Sequence, residues 1–124
     1  MTPGLDGEGT TLPRPRVLVV EDEELVSEVL RALLEEHYEV VCAAGVREAL
    51  AELASRRADA VLLDYSLPDG NGSEVAGRAG APVVWMTGDP RAPSALGEGS
   101  GLLLAKPFGV AAVLGALAEV LAPP

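Results

Sequence analysis

The chain alternates short apolar runs with stretches of helical periodicity. "RVLVV" at 16–20 is a continuous β-branched run, the pattern of a strand covered on both faces. From Glu23 to His37 the period changes. Leu25, Val29, Ala32, Leu33 and Glu36 fall at helical spacing, Leu30 and Leu34 widen that stripe, and acids crowd the first turn, where a helix dipole favours them. "EVVCAA" reads as a second strand and "VREALAELASRR" as a second amphipathic helix, closing on arginines. "DAVLLD" is a third strand, and "SEVAGRAG" supports a helix of at most two turns ended by glycine. "APVVWMTG" and "GLLLA" are the fourth and fifth strands, and "GVAAVLGALAEVLA" is a last helix stopped by "PP".

Strands alternating with helices imply parallel strands joined by right-handed crossovers. The expected fold is therefore α/β, a three-layer, doubly wound, five-stranded parallel sheet. Residues 1–15 are Gly-, Pro- and Thr-rich without periodicity and read as a flexible tail; residues 16–122 form the one expected domain, with no internal repeat. Two helices are expected to be short. Only nine residues separate Gly72 from Pro82, and "GDPRAPSALGEGS" before Gly101 holds two prolines and three glycines in thirteen residues.

Composition narrows the function. The 124 residues are 48% hydrophobic but only 3% aromatic, so the core rests mainly on Val, Leu and Ala. A formal net charge of -10 argues against direct nucleic-acid binding and suits a protein that meets a cation or a basic partner. One cysteine, Cys42, excludes an internal disulfide; in "YEVVCAA" it reads as a small core residue, with a reactive thiol as the alternative. No run approaches a membrane span and no signal pattern opens the chain, so a soluble, cytoplasmic protein is expected.

Parallel strands bring Glu21 and Asp22, Asp64, Thr87 and Lys106 to one carboxyl edge of the sheet, where open α/β folds place their sites. Each alone has an ordinary reading: Asp64 before "YSLPDG" opens a turn, and "EDEE" is a favourable first helical turn. Together they suggest phosphoryl chemistry. Clustered carboxylates call for a hard divalent cation such as Mg²⁺, a hydroxyl and an ammonium suit phosphoryl oxygens, and a carboxylate can itself be the nucleophile.

"VLVVEDEELV", "VLLDYSLPDGNG", "WMTGD" and "AKPF", in this order, resemble the CheY-like receiver domain of two-component response regulators, from about Arg16 to Leu121. The resemblance implies the flavodoxin-like strand order 2-1-3-4-5, and a phosphoryl group taken from a histidine kinase or phosphotransfer protein onto an aspartate beside Mg²⁺. It makes Asp64 the phosphoacceptor and Asp22 a direct metal ligand, with Glu21 acting through water and the Ser66 backbone carbonyl as a further ligand. Thr87 becomes the switch hydroxyl, Gly88 the small residue beside the phosphoryl group, and Lys106 the phosphate partner on a cis bond to Pro107. Pro68 and Gly72 match the loop after the phosphoacceptor. Such a chain is not an enzyme in its own right, although it accepts a phosphoryl group and can lose it, at a rate Asp89 would tune if it does more than open its loop. It signals by contact with a downstream protein.

The pattern departs from the family where an aromatic usually stands three residues before the lysine: here it is Leu103. The segment 88–100 is then the expected moving element. The chain also stops at "LAPP". A complete short regulator is expected, with a receiver piece of a hybrid histidine kinase and a phosphorylation-independent binding module as alternatives. A small-molecule phosphatase fits poorly, because Ser66 stands where such enzymes carry a second aspartate. His37 reads as a solvated helix-end residue and Trp85 as core.

Overall fold

The structure, a computed structural model, describes residues 14–88 and 102–121. Residues 1–13, the segment 89–101 with the expected short fourth helix and Asp89, and residues 122–124 lie outside the described residues. The elements are β1 (Arg16–Val20), α1 (Glu24–Leu34), β2 (Glu39–Ala43), α2 (Val46–Ser55) and β3 (Ala60–Asp64), then two short strands, β4 (Ser66–Leu67) and β5 (Gly70–Asn71). They are followed by α3 (Ser73–Arg78), β6 (Val83–Thr87), β7 (Leu102–Ala105) and a last helix, α4 (Val110–Leu121).

The main sheet is parallel with order β2-β1-β3-β6-β7, the expected doubly wound arrangement once the β4–β5 hairpin is set aside. Because strand side chains alternate, each buried strand feeds two cores. Val17 and Val19, Ala60 and Leu62, and Val84 and Met86 pack with Leu30 and Leu34 of α1 and Val113, Ala116 and Leu117 of α4. Leu18 and Val20, Val61 and Leu63, and Trp85 face the other way, onto Val46 and Ala49 of α2 and Val75 of α3. The six-residue α3 is short, as its glycine-limited sequence requires.

Three expectations need correction. The apolar stripe of α1 is wider than the face the sheet covers: Leu30 and Leu34 are buried, whereas Leu25 is 76% and Val29 57% exposed. Cys42 is half-buried rather than central, because β2 is the edge strand. The β4–β5 hairpin was not expected at all; strands of two residues show no period, so "SLPDGN" reads as a turn. Trp85 is buried and His37 exposed, both as expected.

At the amino edge of the sheet, Arg16 is buried and bonds outward. Its guanidinium lies 3.5 Å from Glu52 and 3.7 Å from Glu39, and its backbone N–H donates to Asp59 at 2.7 Å. That end is a structural ion cluster, and the polar groups of the opposite edge are arranged differently.

Candidate functional site

Parallel register carries five polar residues to the carboxyl edge. Val20 pairs with Leu63, Asp64 with Met86 and Thr87 with Ala105, so Glu21 followed by Asp22, then Asp64, Thr87 and Lys106, emerge along one edge. Three backbone bonds continue the sheet past its ends: Glu21 N–H to Ala43 C=O at 3.0 Å, Tyr65 N–H to Met86 C=O at 2.9 Å, and Lys106 N–H to Thr87 C=O at 2.7 Å. They hold the site residues on rigid backbone although each lies at or just beyond a strand end.

Glu21, Asp64 and Thr87 are buried and Asp22 is exposed. Lys106 Nζ lies 2.9 Å from Glu21 Oε1 and 3.0 Å from Asp64 Oδ2, one ammonium between two buried carboxylates. The second Glu21 oxygen accepts the Glu23 N–H at 3.1 Å, and Asp64 Oδ1 accepts the Ser66 N–H at 3.1 Å. One carboxylate oxygen from each of Glu21, Asp22 and Asp64 falls within 4.8 Å of the others. The Lys106–Pro107 peptide is cis, as expected.

Burial pushes the Glu21 carboxyl above its usual range; the Lys106 hydrogen bond and the Glu23 N–H oppose that rise, and the Asp64 charge adds to it. For Lys106, burial alone would push the ammonium down. The hydrogen bonds to Glu21 and Asp64 outweigh it, and the net shift is upward. The two directions agree physically: the ammonium is held charged by an acidic pair that it cannot fully neutralise.

The structure brings Glu21, Asp22, Asp64 and Lys106 together and puts buried Thr87 at the neighbouring strand end. Ser66 begins the hairpin directly after Asp64, with its N–H on the Asp64 carboxylate. Gly72 earns its place sterically: a Cβ there would sit 2.8 Å from the Trp85 ring and 2.9 Å from the Asp64 carbonyl oxygen. For Gly88, among the described residues, a Cβ would meet nothing within 4 Å, so crowding does not require glycine there. Leu103 pairs with Trp85 across β6–β7, and Trp85 meets the Tyr65 ring edge-on at 5.9 Å between centroids. The aromatic bulk missing from β7 is thus found on the next strand. Sequence reasoning overlooked Asp69, whose carboxylate accepts the Val46 and Arg47 N–H groups. Between proline and glycine it had only the signature of a turn.

Comparison with known proteins agrees with this geometry. The sequence profile of the response regulator receiver domain matches residues 17–118. The chain is 34% identical over 102 residues to the KDP operon transcriptional regulatory protein KdpE of Escherichia coli K12, covering 76% of this chain and 45% of that protein. It is 35% identical over 115 residues to the transcriptional regulatory protein PdtaR of Mycobacterium tuberculosis, covering 86% and 56%. The chain thus spans about half the length of these curated relatives. Among solved structures, the signal receiver domain of an HD domain-containing protein from Pseudomonas fluorescens Pf-5 superposes with a TM-score of 0.80 at 30% identity, covering 90% of each chain. With the sheet order, the strand-end cluster and the profile in agreement, the chain belongs to the response regulator receiver domain family.

Proposed function

We propose that this chain accepts a phosphoryl group on Asp64 from a histidine kinase or histidine phosphotransfer protein and passes the signal on by protein contact. The observation that carries this reading is the state of the Asp64 carboxylate. It is buried at a strand end, oriented by the Ser66 N–H and the Lys106 ammonium, and adjoined by two further carboxylates.

The donor set fits Mg²⁺. Of three clustered carboxylates only Glu21 and Asp64 meet the Lys106 ammonium, which leaves negative charge for a divalent cation to offset, and all the ligands are hard oxygens. Both oxygens of Glu21 and both of Asp64 accept hydrogen bonds within the protein, whereas Asp22 is exposed. Following the receiver-domain pattern, Asp22 and Asp64, with the Ser66 backbone carbonyl, are assigned as direct ligands and Glu21 as an indirect one. When bound, the cation would neutralise the incoming phosphoryl oxygens.

The chain's own residues do the rest. An Asp64 carboxylate oxygen attacks phosphorus; the O–P bond forms as the N–P bond of the donor phosphohistidine breaks, and the imidazole keeps the electron pair. Ser66 N–H holds the nucleophile's orientation. Lys106 stands within reach of the oxygen that carries the new charge, and the Thr87 hydroxyl donates to a phosphoryl oxygen. Phosphoryl transfer asks mainly for positioning and charge neutralisation, which so small a site supplies. In this reading the chain is a phosphoacceptor and not a turnover enzyme, it acts in the cytoplasm, and it makes no direct contact with nucleic acid or membrane. Among the described residues, no helix is long and apolar enough to cross a membrane.

Intact mass after incubation with acetyl phosphate tests the proposal. One phosphoryl adduct is expected, dependent on Mg²⁺ and missing from Asp64→Asn. No adduct under any condition would favour a binding module that keeps the fold without phosphorylation.

A further inference from the structure

Helix α2 begins without a capping side chain of its own, because the residue at its N-cap is Gly45. Its first two N–H groups are satisfied from elsewhere in the chain. Val46 N–H donates to Asp69 Oδ1 at 2.8 Å and Arg47 N–H to Asp69 Oδ2 at 3.0 Å. Both the unpaired amides and the helix dipole favour a carboxylate in that position. The approach depends on residue 45: a Cβ there would lie 2.6 Å from Asp69 Oδ1 and 3.2 Å from its Cγ.

Asp69 sits at the tip of the β4–β5 hairpin, whose base is the site itself. Ser66 pairs with Asn71 and Leu67 with Gly70, Gly72 N–H donates to Tyr65 C=O at 3.0 Å, and Ser66 N–H donates to Asp64. Gly70 follows the tip at φ 147°, a conformation that side chains rarely adopt. A hairpin of two-residue strands is marginal by itself and needs tethers. Asp69 is exposed, so it adds nothing to the core. What it does is hold the hairpin against α2.

We propose that Asp69 is a positioning residue for the cation site. By clamping the hairpin tip to the first turn of α2, it fixes the Ser66 backbone carbonyl in place relative to Asp64 and Asp22. The inference rests on the magnesium reading above and assigns part of that site's affinity to a contact outside it. The N–H bonds from Arg47 and Val46 also hold the Asp69 carboxyl below its usual range, so the clamp is ionised at neutral pH.

The test is Mg²⁺ affinity by titration calorimetry, with the fluorescence of Trp85, the single tryptophan, as a spectroscopic signature. Asp69→Ala should weaken Mg²⁺ binding about tenfold, the scale seen when groups that orient metal ligands are removed. Asp69→Asn, whose amide oxygen still accepts one N–H, should lose less. Gly45→Ala should resemble Asp69→Ala, and the double variant should be no worse than either single one, because all three break the same contact. An unchanged affinity in Asp69→Ala beside a lowered melting temperature would make Asp69 only a helix cap and overturn the proposal. If the alanine variant loses its fold, Asp69→Asn and Gly45→Ala decide by the same criterion. Wild-type protein that binds no Mg²⁺ overturns the magnesium reading and this inference together. A failure of the inference alone shows only in the variants.

Discussion

Lys106 holds its ammonium 2.9 Å from Glu21 and 3.0 Å from Asp64. In Lys106→Met the stem remains and the charge goes. The variant should be destabilised by about 1–3 kcal/mol at pH 7, the cost of leaving a buried polar partner unsatisfied. The sign of its pH dependence follows from Glu21. That carboxyl is already raised by burial, and without the ammonium it rises further. A carboxyl raised in the folded state costs stability once pH climbs through the unfolded value of 4.5, and the cost is complete above the folded value. The deficit should therefore shrink as pH falls from 7 toward 4.5, measured by urea unfolding against wild type. A deficit independent of pH would show that Glu21 is not the group left exposed to the loss. The sequence identified both residues but not their pairing, because the two lie 85 positions apart and nothing local connects them.

Helix α1 shows how an element's own pattern underdetermines its packing. Seven apolar positions between Leu25 and Leu34 offer more surface than one sheet face can cover, and the sheet takes the side that includes Leu30 and Leu34. Leu34→Ala should cost about 2–5 kcal/mol in chemical unfolding, as buried leucine truncations do. Leu25→Ala, at a position 76% exposed, should stay within about 0.5 kcal/mol. Similar losses in the two variants would mean that the helix is turned differently on the sheet. The hairpin between β3 and α3 is the reverse case: its residues look like a plain turn, and it becomes structure only because Gly72 packs against Trp85 and Asp69 reaches α2.

For the whole molecule, the two ends of one sheet have opposite fates. At the amino edge two arginines, Arg16 and Arg56, pair with two carboxylates, Glu39 and Glu52, and those charges close among themselves. At the carboxyl edge three clustered carboxylates, Glu21, Asp22 and Asp64, stand against one ammonium, Lys106, which bridges Glu21 and Asp64, and the imbalance is what a ligand would relieve. Mg²⁺ at about one hundred times its dissociation constant should then stabilise the fold by about 2.7 kcal/mol, by linkage. Asp22→Asn should lose most of that gain. Melting temperatures with and without Mg²⁺ measure both, and an equal temperature in wild type would contradict cation binding by the folded state.

Apart from the sheet order, which only the resemblance to receiver domains implied, the sequence by itself determined the succession of the main strands and helices, the parallel sheet, and which polar residues reach the carboxyl edge. Those features follow from local periodicity and from the rule that parallel strands end on one side. Only the tertiary structure decided that Glu21 is buried against Lys106 while Asp22 faces solvent, that α1 leaves Leu25 and Val29 outside, and that Asp69 spans to α2. Each of these depends on distances between segments far apart in the chain, and periodicity carries no information about such distances.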